Sequence, residues 1–146
     1  MTERTILVVK NSWSLLVPRA EEVGARFYQK LFELDPTLRP LFKSDLESQT
    51  KKLMTMLTVV ISKLQSLSDI IGQVNALAQR HVHYGARPAH YQTVGQALLW
   101  TLEQNLGHRW DPETRQAWTD VYTLLANAMI AAAATAPQKT PVSEAA

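Results

Sequence analysis

Residues 70–81 read IIGQVNALAQRH, and the spacing of their apolar residues is that of a helix. Positions 70, 74, 77 and 81 follow one another at intervals of four, three and four, which places them on one helical face. His81 therefore points in the same direction as Val74 and Leu77. From this spacing alone we expect a histidine that is either hydrogen-bonded in the core or bound to a metal.

The number of ligands decides which metal such a histidine suits. Zinc takes about four protein ligands, or about three with a water, so His81 alone is too few. Haem needs only one axial histidine, because the porphyrin supplies the equatorial nitrogens. At this point the core interpretation and the haem interpretation of His81 both remain open.

The same periodicity recurs along the chain and predicts an all-α fold of about seven helices. The segments are residues 6–16, 23–32, 36–42, 46–64, 70–81, 91–102 and 118–129. Asp35-Pro36 and Asp111-Pro112 are typical helix starts, with a capping carboxylate before a proline. Gly85 and Gly107 are expected where helices end.

Length and composition indicate one folded domain. The chain has 146 residues, of which 46% are hydrophobic and 19% charged, so it has enough apolar side chains for one core. We predict a folded domain over residues 1–134. Residues 135–146 are small and polar and contain Pro137 and Pro141, and we predict that they form a disordered tail.

Several classes of function are disfavoured by charge and composition. A net charge of +2 without a long Lys/Arg run does not favour nucleic acid as a partner. The absence of cysteine excludes disulfides and cysteine-based zinc sites within this sequence. No apolar run approaches the roughly 20 residues of a membrane span, and residues 1–13 do not read as a secretory signal. We therefore expect a cytoplasmic protein without a membrane span.

Other polar residues on apolar stripes have two interpretations each. Gln49 begins the stripe 49-53-57-60, and Tyr28 lies between Gly24 and Phe32. Either side chain could be partly solvated, or the two could supply hydrogen bonds at the edge of an apolar pocket. The remaining histidines lack such company, and we expect them on the surface or between helices. They are His83, His90 and His108.

A set of motifs in fixed order resembles bacterial single-domain globins and the haem domain of flavohaemoglobins. It comprises FYQKLF at 27–32, DP at 35–36, RPLF at 39–42, Gln49 with Leu53, RH at 80–81, AHY at 89–91 with VG at 94–95, and AW at 117–118 with VY at 121–122. The resemblance extends over about residues 4–133. Each motif alone is weak, but the ordered set is specific, and it favours the haem interpretation of His81.

The resemblance implies a globin fold around one haem b. His81 matches the proximal iron ligand, and Tyr91 matches the tyrosine beside it. Tyr28, Gln49 and Leu53 match the distal residues that meet a gas such as O2, NO or CO. The expected cofactor contacts are Phe42, Leu53, Leu57, Leu77, Arg80, Tyr91 and Val94. Lys52 and Arg80 fall where basic side chains could meet the haem propionates.

The sequence departs from flavohaemoglobins in two respects. No reductase domain is expected in this chain, whereas flavohaemoglobins carry one after the globin. They also place a glutamate in the last helix near the proximal histidine, where this chain reads Ala131–Ala134; Glu144 lies beyond Pro137. Without that carboxylate, we expect His81 to bond to a backbone carbonyl, that of Leu77 one turn earlier.

Four functions remain open from the sequence. The first is haem-based binding of O2 and other diatomic gases, as in oxygen transport. The second is an enzyme, a nitric oxide dioxygenase in which haem-bound O2 oxidises NO to nitrate and a separate reductase re-reduces the haem, with Tyr28 and Gln49 as candidate catalytic residues. The others are a gas sensor and a haem-free helical interaction module. Whether the protein is an enzyme is left undecided by these residues.

Overall fold

The computed structural model describes residues 1–43 and 45–135, and within them it contains six α-helices and no strand. The helices are α1 Glu3–Leu16, α2 Ala20–Leu34, α3 Leu46–Ser62, α4 Ile71–His83, α5 Pro88–Leu106 and α6 Pro112–Thr135. Four 3-10 helices occupy Val17–Arg19, Pro36–Leu41, Leu64–Ile70 and Gly107–Arg109. The predicted all-α class is confirmed.

The prediction of about seven helices is corrected to six α-helices within the described residues, because the segment at 36–42 is not an α-helix. This segment forms a 3-10 helix, Pro36–Leu41, rather than an α-helix. Two of its six residues are prolines, and a proline inside a helix has no N–H to donate to the preceding turn. The Asp35 carboxylate accepts a bond of 3.0 Å from the backbone N–H of Thr37, which fixes the start of this turn.

Helix boundaries elsewhere follow capping chemistry. The Asp111 carboxylate accepts a 2.8 Å bond from the backbone N–H of Thr114 at the start of α6, as the Asp-Pro pair predicts. Asp45 caps α3 in the same way through the N–H of Ser48. Gly107 ends α5 with φ +55°, a conformation that favours glycine.

Buried tryptophans join three helices. The indole N–H of Trp118 in α6 donates to the Ser12 hydroxyl of α1 at 2.8 Å. The indole N–H of Trp13 donates to the Thr58 hydroxyl of α3 at 3.1 Å. The two ring centroids lie 5.9 Å apart. Because each N–H has an acceptor, these large side chains can be buried without an unpaired donor.

The remaining helices pack so that a cavity is left between them. α2 packs against α3 and α5, while α4 packs against α6.

The 3-10 helix at 64–70 bends at Ser66, whose φ of −140° and ψ of 52° are not helical. The chain therefore changes direction between α3 and α4.

The described residues also bear on two further predictions. The predicted tail lies outside them except for Thr135, which is the last residue of α6, so the division of the chain at residue 134 stays a prediction. No single helix in the described part has the length and hydropathy to cross a membrane, although the bent pair Leu46–Ser62 and Leu64–His83 satisfies length and composition together.

Candidate cofactor site

An apolar cavity of about 220 Å³ lies between α2, α3, α4, α5, α6 and the 3-10 helix at 36–41. Aliphatic and aromatic side chains form most of its wall. The polar side chains that line it are Tyr28, Gln49, Lys52, His81, Tyr84, His90, Tyr91 and Tyr122. A concave apolar site with a few convergent polar groups is the usual form of a cofactor pocket.

His81 is presented to this cavity by α4. Its Nδ1 lies 2.8 Å from the carbonyl oxygen of Leu77, which confirms the predicted bond. Because a carbonyl only accepts, Nδ1 carries the proton and Nε2 keeps the lone pair. Burial, with a contribution from the Arg80 guanidinium, lowers the pKa of His81 below its ordinary value. A neutral imidazole with a lone pair on one nitrogen is the form that binds metal.

Tyrosine rings restrict the position of the His81 ring. The Tyr91 ring from α5 stacks on it, with centroids 6.3 Å apart and planes inclined by 26°. The Tyr84 ring lies at 5.8 Å and is tilted by 51°. Among the described residues no group of three or more His, Cys, Asp or Glu could hold a metal ion.

Tyr28 lies in a cluster of phenylalanines on another wall of the cavity. The Phe27, Phe32 and Phe42 ring centroids lie 5.0, 6.0 and 5.5 Å from that of Tyr28. Burial raises the pKa of the Tyr28 hydroxyl to about 12, so it remains a protonated donor at neutral pH. It donates to the backbone carbonyl of Gln49 at 3.4 Å, which is long for an O–H···O bond.

Close packing of α2 on α3 brings Tyr28 and Gln49 to the same region. A β-carbon at Gly24 in α2 would collide with the Thr50 side chain of α3, so glycine permits the close approach. Gln49 precedes Thr50 in α3, and it is only 7% exposed. Gly24 therefore permits the close crossing of α2 and α3 that places both polar residues near the cavity.

Most sequence-predicted site residues come together around the cavity. Those that line it are Tyr28, Phe42, Gln49, Leu53, Leu57, Leu77, His81, Tyr91 and Val94. Arg80 is exposed on α4 and is not among the lining residues, whereas Lys52 is. The geometry thus groups Tyr28 and Gln49 with His81 at one cavity and leaves Arg80 outside its lining.

Sequence reasoning missed three of the polar lining residues. His90 was expected on the surface or between helices, but it lines the cavity, and its Nδ1 accepts a 3.0 Å bond from the Arg87 N–H. His90 is the third residue of α5, and its bond to the N–H of the capping residue Arg87 is that of a capping box. Tyr84 and Tyr122 also line the cavity; the VY pair at 121–122 was a signal for Tyr122.

These features define a helical protein whose pocket suits a cofactor held by a single neutral histidine. The globin family model matches residues 25–129. The chain therefore belongs to the globin family, whose cofactor is haem and whose ligands are diatomic gases. The donor set fits that cofactor, because one neutral imidazole, apolar walls and hydrogen-bond donors from other helices meet in one cavity.

The chain is similar to a globin-like protein of about its own length and to longer flavohemoproteins. It is 31% identical to an uncharacterized globin-like protein of Aquifex aeolicus over 130 residues, which cover 89% of this chain and 92% of that protein. It is 29% identical to a flavohemoprotein of Rhodopirellula baltica and 28% identical to one of Bacillus subtilis. Here the match covers 89% of this chain but 33% of each flavohemoprotein.

Two solved structures share the fold. A bacterial globin from Campylobacter jejuni has a TM-score of 0.80 at 25% identity, covering 91% of this chain and 96% of that one. An engineered carbene transferase from Rhodothermus marinus, provisionally assigned as a nitric oxide dioxygenase, has a TM-score of 0.84 at 25% identity. That match covers 92% of this chain and 94% of the other.

Proposed function

We propose that this globin binds haem b through His81 and holds O2 and other diatomic gases beside Tyr28 and Gln49. The observation that carries the proposal is the His81 imidazole on the wall of an apolar cavity, with its Nδ1 bonded to the Leu77 carbonyl at 2.8 Å. When bound, the haem iron supplies the gas-binding and redox chemistry.

The residues of the chain divide the remaining work. The Tyr28 hydroxyl and the Gln49 amide can donate hydrogen bonds to a gas ligand, which withdraws electron density from the cofactor. Leu53, Leu57 and Val94 exclude water from the cavity and present apolar surface to a porphyrin. Lys52 lines the cavity, and it and Arg80 are our candidates for the propionates.

Absorption spectra of the protein titrated with haem b test this proposal directly. We expect a saturable Soret band at one haem per chain and a shifted band when the reduced protein meets CO. A protein that stays colourless after titration, with its helical circular dichroism intact, would instead support a haem-free interaction module.

A second candidate is nitric oxide dioxygenase activity supported by a separate reductase. Similarity to flavohemoproteins and to the Rhodothermus protein favours it. The lining that α6 contributes disfavours it, because Tyr122, Leu125, Ala126 and Met129 include no carboxylate. The cofactor would carry the chemistry, and this chain would supply orientation and hydrogen bonds.

Consumption of NO separates the two candidates. With NADH and an added flavoprotein reductase, an NO dioxygenase consumes NO over many turnovers and releases nitrate. A gas carrier binds NO and O2 under the same conditions with negligible turnover. The reductase without the globin is the control for its own reaction with NO.

A further inference from the structure

Tyr122 joins α6 to α5 through a hydrogen bond. Its hydroxyl donates a 2.6 Å hydrogen bond from α6 to the backbone carbonyl of Tyr91, in the first turns of α5. Burial raises the pKa of Tyr122 above its ordinary value, so this donor keeps its proton over the working pH range. The 2.6 Å distance lies within the usual range for an O–H···O hydrogen bond.

Gly95 leaves the space in which the Tyr122 ring packs against α5. A β-carbon at Gly95 would lie 2.8 Å from Cε2 and 3.2 Å from Cδ2 of Tyr122. Gly95 is four residues after Tyr91, so both lie on the same face of α5, one turn apart. Tyr122 therefore packs its ring on one turn of α5 and bonds the turn before it.

His81 depends on α5 for its restraint from outside its own helix. The Nδ1 bond goes to Leu77, four residues earlier in α4, so it fixes the tautomer but does not join His81 to a neighbouring helix. The stacked Tyr91 ring is the contact from α5. No carboxylate of α6 lines the cavity to share this task.

We propose that Tyr122 is a positioning residue that, through Tyr91, sets the orientation of the His81 imidazole toward a bound iron. The Tyr122–Tyr91 hydrogen bond ties α6 to the helix whose tyrosine ring stacks on His81. The inference rests on the proposed haem ligation by His81, and Gly95 provides the space that Tyr122 needs.

The test is Tyr122→Phe, which removes only the hydroxyl oxygen. Resonance Raman of the reduced, gas-free protein reports the iron–histidine stretch, and we expect that band to shift and broaden. Transfer of haem to an acceptor globin should be faster by roughly 2- to 10-fold, the factor that corresponds to one net hydrogen bond. Gly95→Ala, which displaces the Tyr122 ring but keeps its hydroxyl, should change the band as well.

Tyr28→Phe is the matched control, because it makes the same chemical change at another buried tyrosine of the cavity. It should leave the iron–histidine band in place. An unchanged band and haem-transfer rate in Tyr122→Phe, or an equal shift in Tyr28→Phe, would overturn the inference. If the wild-type protein itself lacked an iron–histidine band, the proposed ligation would fail, and this distinguishes the two failures.

Discussion

Tyr28 is the residue whose hydroxyl most directly tests how the pocket holds a gas. It is buried among phenylalanines and donates a long, weak hydrogen bond of 3.4 Å to the Gln49 carbonyl. Turning toward a ligand would therefore break only this weak bond. A hydrogen bond to a ligand with negative charge contributes roughly 1.5–3 kcal/mol. At 1.4 kcal/mol per factor of ten, Tyr28→Phe should speed O2 release about 10- to 100-fold.

Stopped-flow measurement of O2 release checks this prediction, with CO release as the internal control. CO is less polar when bound, so its release should change much less. Gln49→Leu should have a smaller effect than Tyr28→Phe, and the double variant should be non-additive because both donors would share one ligand. A change of less than about twofold in Tyr28→Phe would make the tyrosine a packing residue.

The electronic character of His81 is a second property of a single residue. Its Nδ1 donates to the neutral carbonyl of Leu77, so we expect a neutral-imidazole ligand with an iron–histidine stretch in the low range. A glutamate introduced by Ala132→Glu or Ala133→Glu, each made separately, should raise that frequency in one of the two variants. A wild-type frequency in the range of imidazolate-like ligands would contradict this account.

At the scale of helices, the crossing of α2 and α3 depends on Gly24. Gly24→Ala places a methyl group against the buried Thr50 side chain, so the helix crossing must shift, and should lower the free energy of unfolding by about 1–3 kcal/mol. Urea denaturation of the haem-free protein measures it. Combining Gly24→Ala with Thr50→Ser, which removes the clashing methyl, should recover part of the loss.

Gly72 in α4 is the matched control for that substitution. A β-carbon there meets nothing within 4 Å, so Gly72→Ala should raise the free energy of unfolding by about 0.4–1 kcal/mol. Equal losses in the two alanine variants would show that a general effect, and not the α2–α3 crossing, explains the result at Gly24.

The start of α6 gives a prediction with a pH dependence. The Thr114 N–H holds the pKa of the Asp111 carboxyl below its ordinary value. The carboxylate therefore stabilises the fold at neutral pH, and this contribution is lost as the pH falls below the ordinary value of about 3.9 and through the folded pKa. The difference in the free energy of unfolding between wild type and Asp111→Ala should therefore shrink as the pH falls over that range.

Denaturation at a series of pH values checks the capping bond. Asp111→Asn keeps an oxygen that accepts from Thr114 but does not titrate, so its advantage over Asp111→Ala should persist in acid. A difference between wild type and Asp111→Ala that stays constant from pH 7 to pH 3 would contradict the assignment.

Elements were predictable from sequence to the extent that local chemistry decides them. The stripe ending at His81 and the Asp111-Pro112 pair predicted α4 and the start of α6, because periodicity and capping act within a few residues. The prediction of an α-helix at 36–42 was wrong. It relied on the apolar spacing and gave too little weight to Pro40, the second proline of the segment. No local signal indicated that α3 ends at Ser62 or that the chain bends at Ser66.

The cavity is a property of the whole molecule, and sequence revealed only part of it. The resemblance to globins assigned Tyr28, Gln49 and His81 to one site, and all three line the same cavity, while their roles stay predictions. Tyr122 acts through a contact between α6 and α5 that joins residues 31 positions apart, whereas His90 accepts a hydrogen bond at the start of its own helix. The displacement of Arg80 from the lining likewise depends on the rotation of α4 in the assembled fold.

The most direct test of the account is the visible spectrum of His81→Gly beside His83→Gly, which alters the same helix at a residue outside the cavity lining. With haem b, His83→Gly should match wild type in its ferric and ferrous bands. His81→Gly should lose haem on gel filtration and recover a wild-type ferrous spectrum when imidazole is added. Full haem retention and an unchanged ferrous spectrum in His81→Gly without imidazole would contradict the claim that His81 is the proximal ligand.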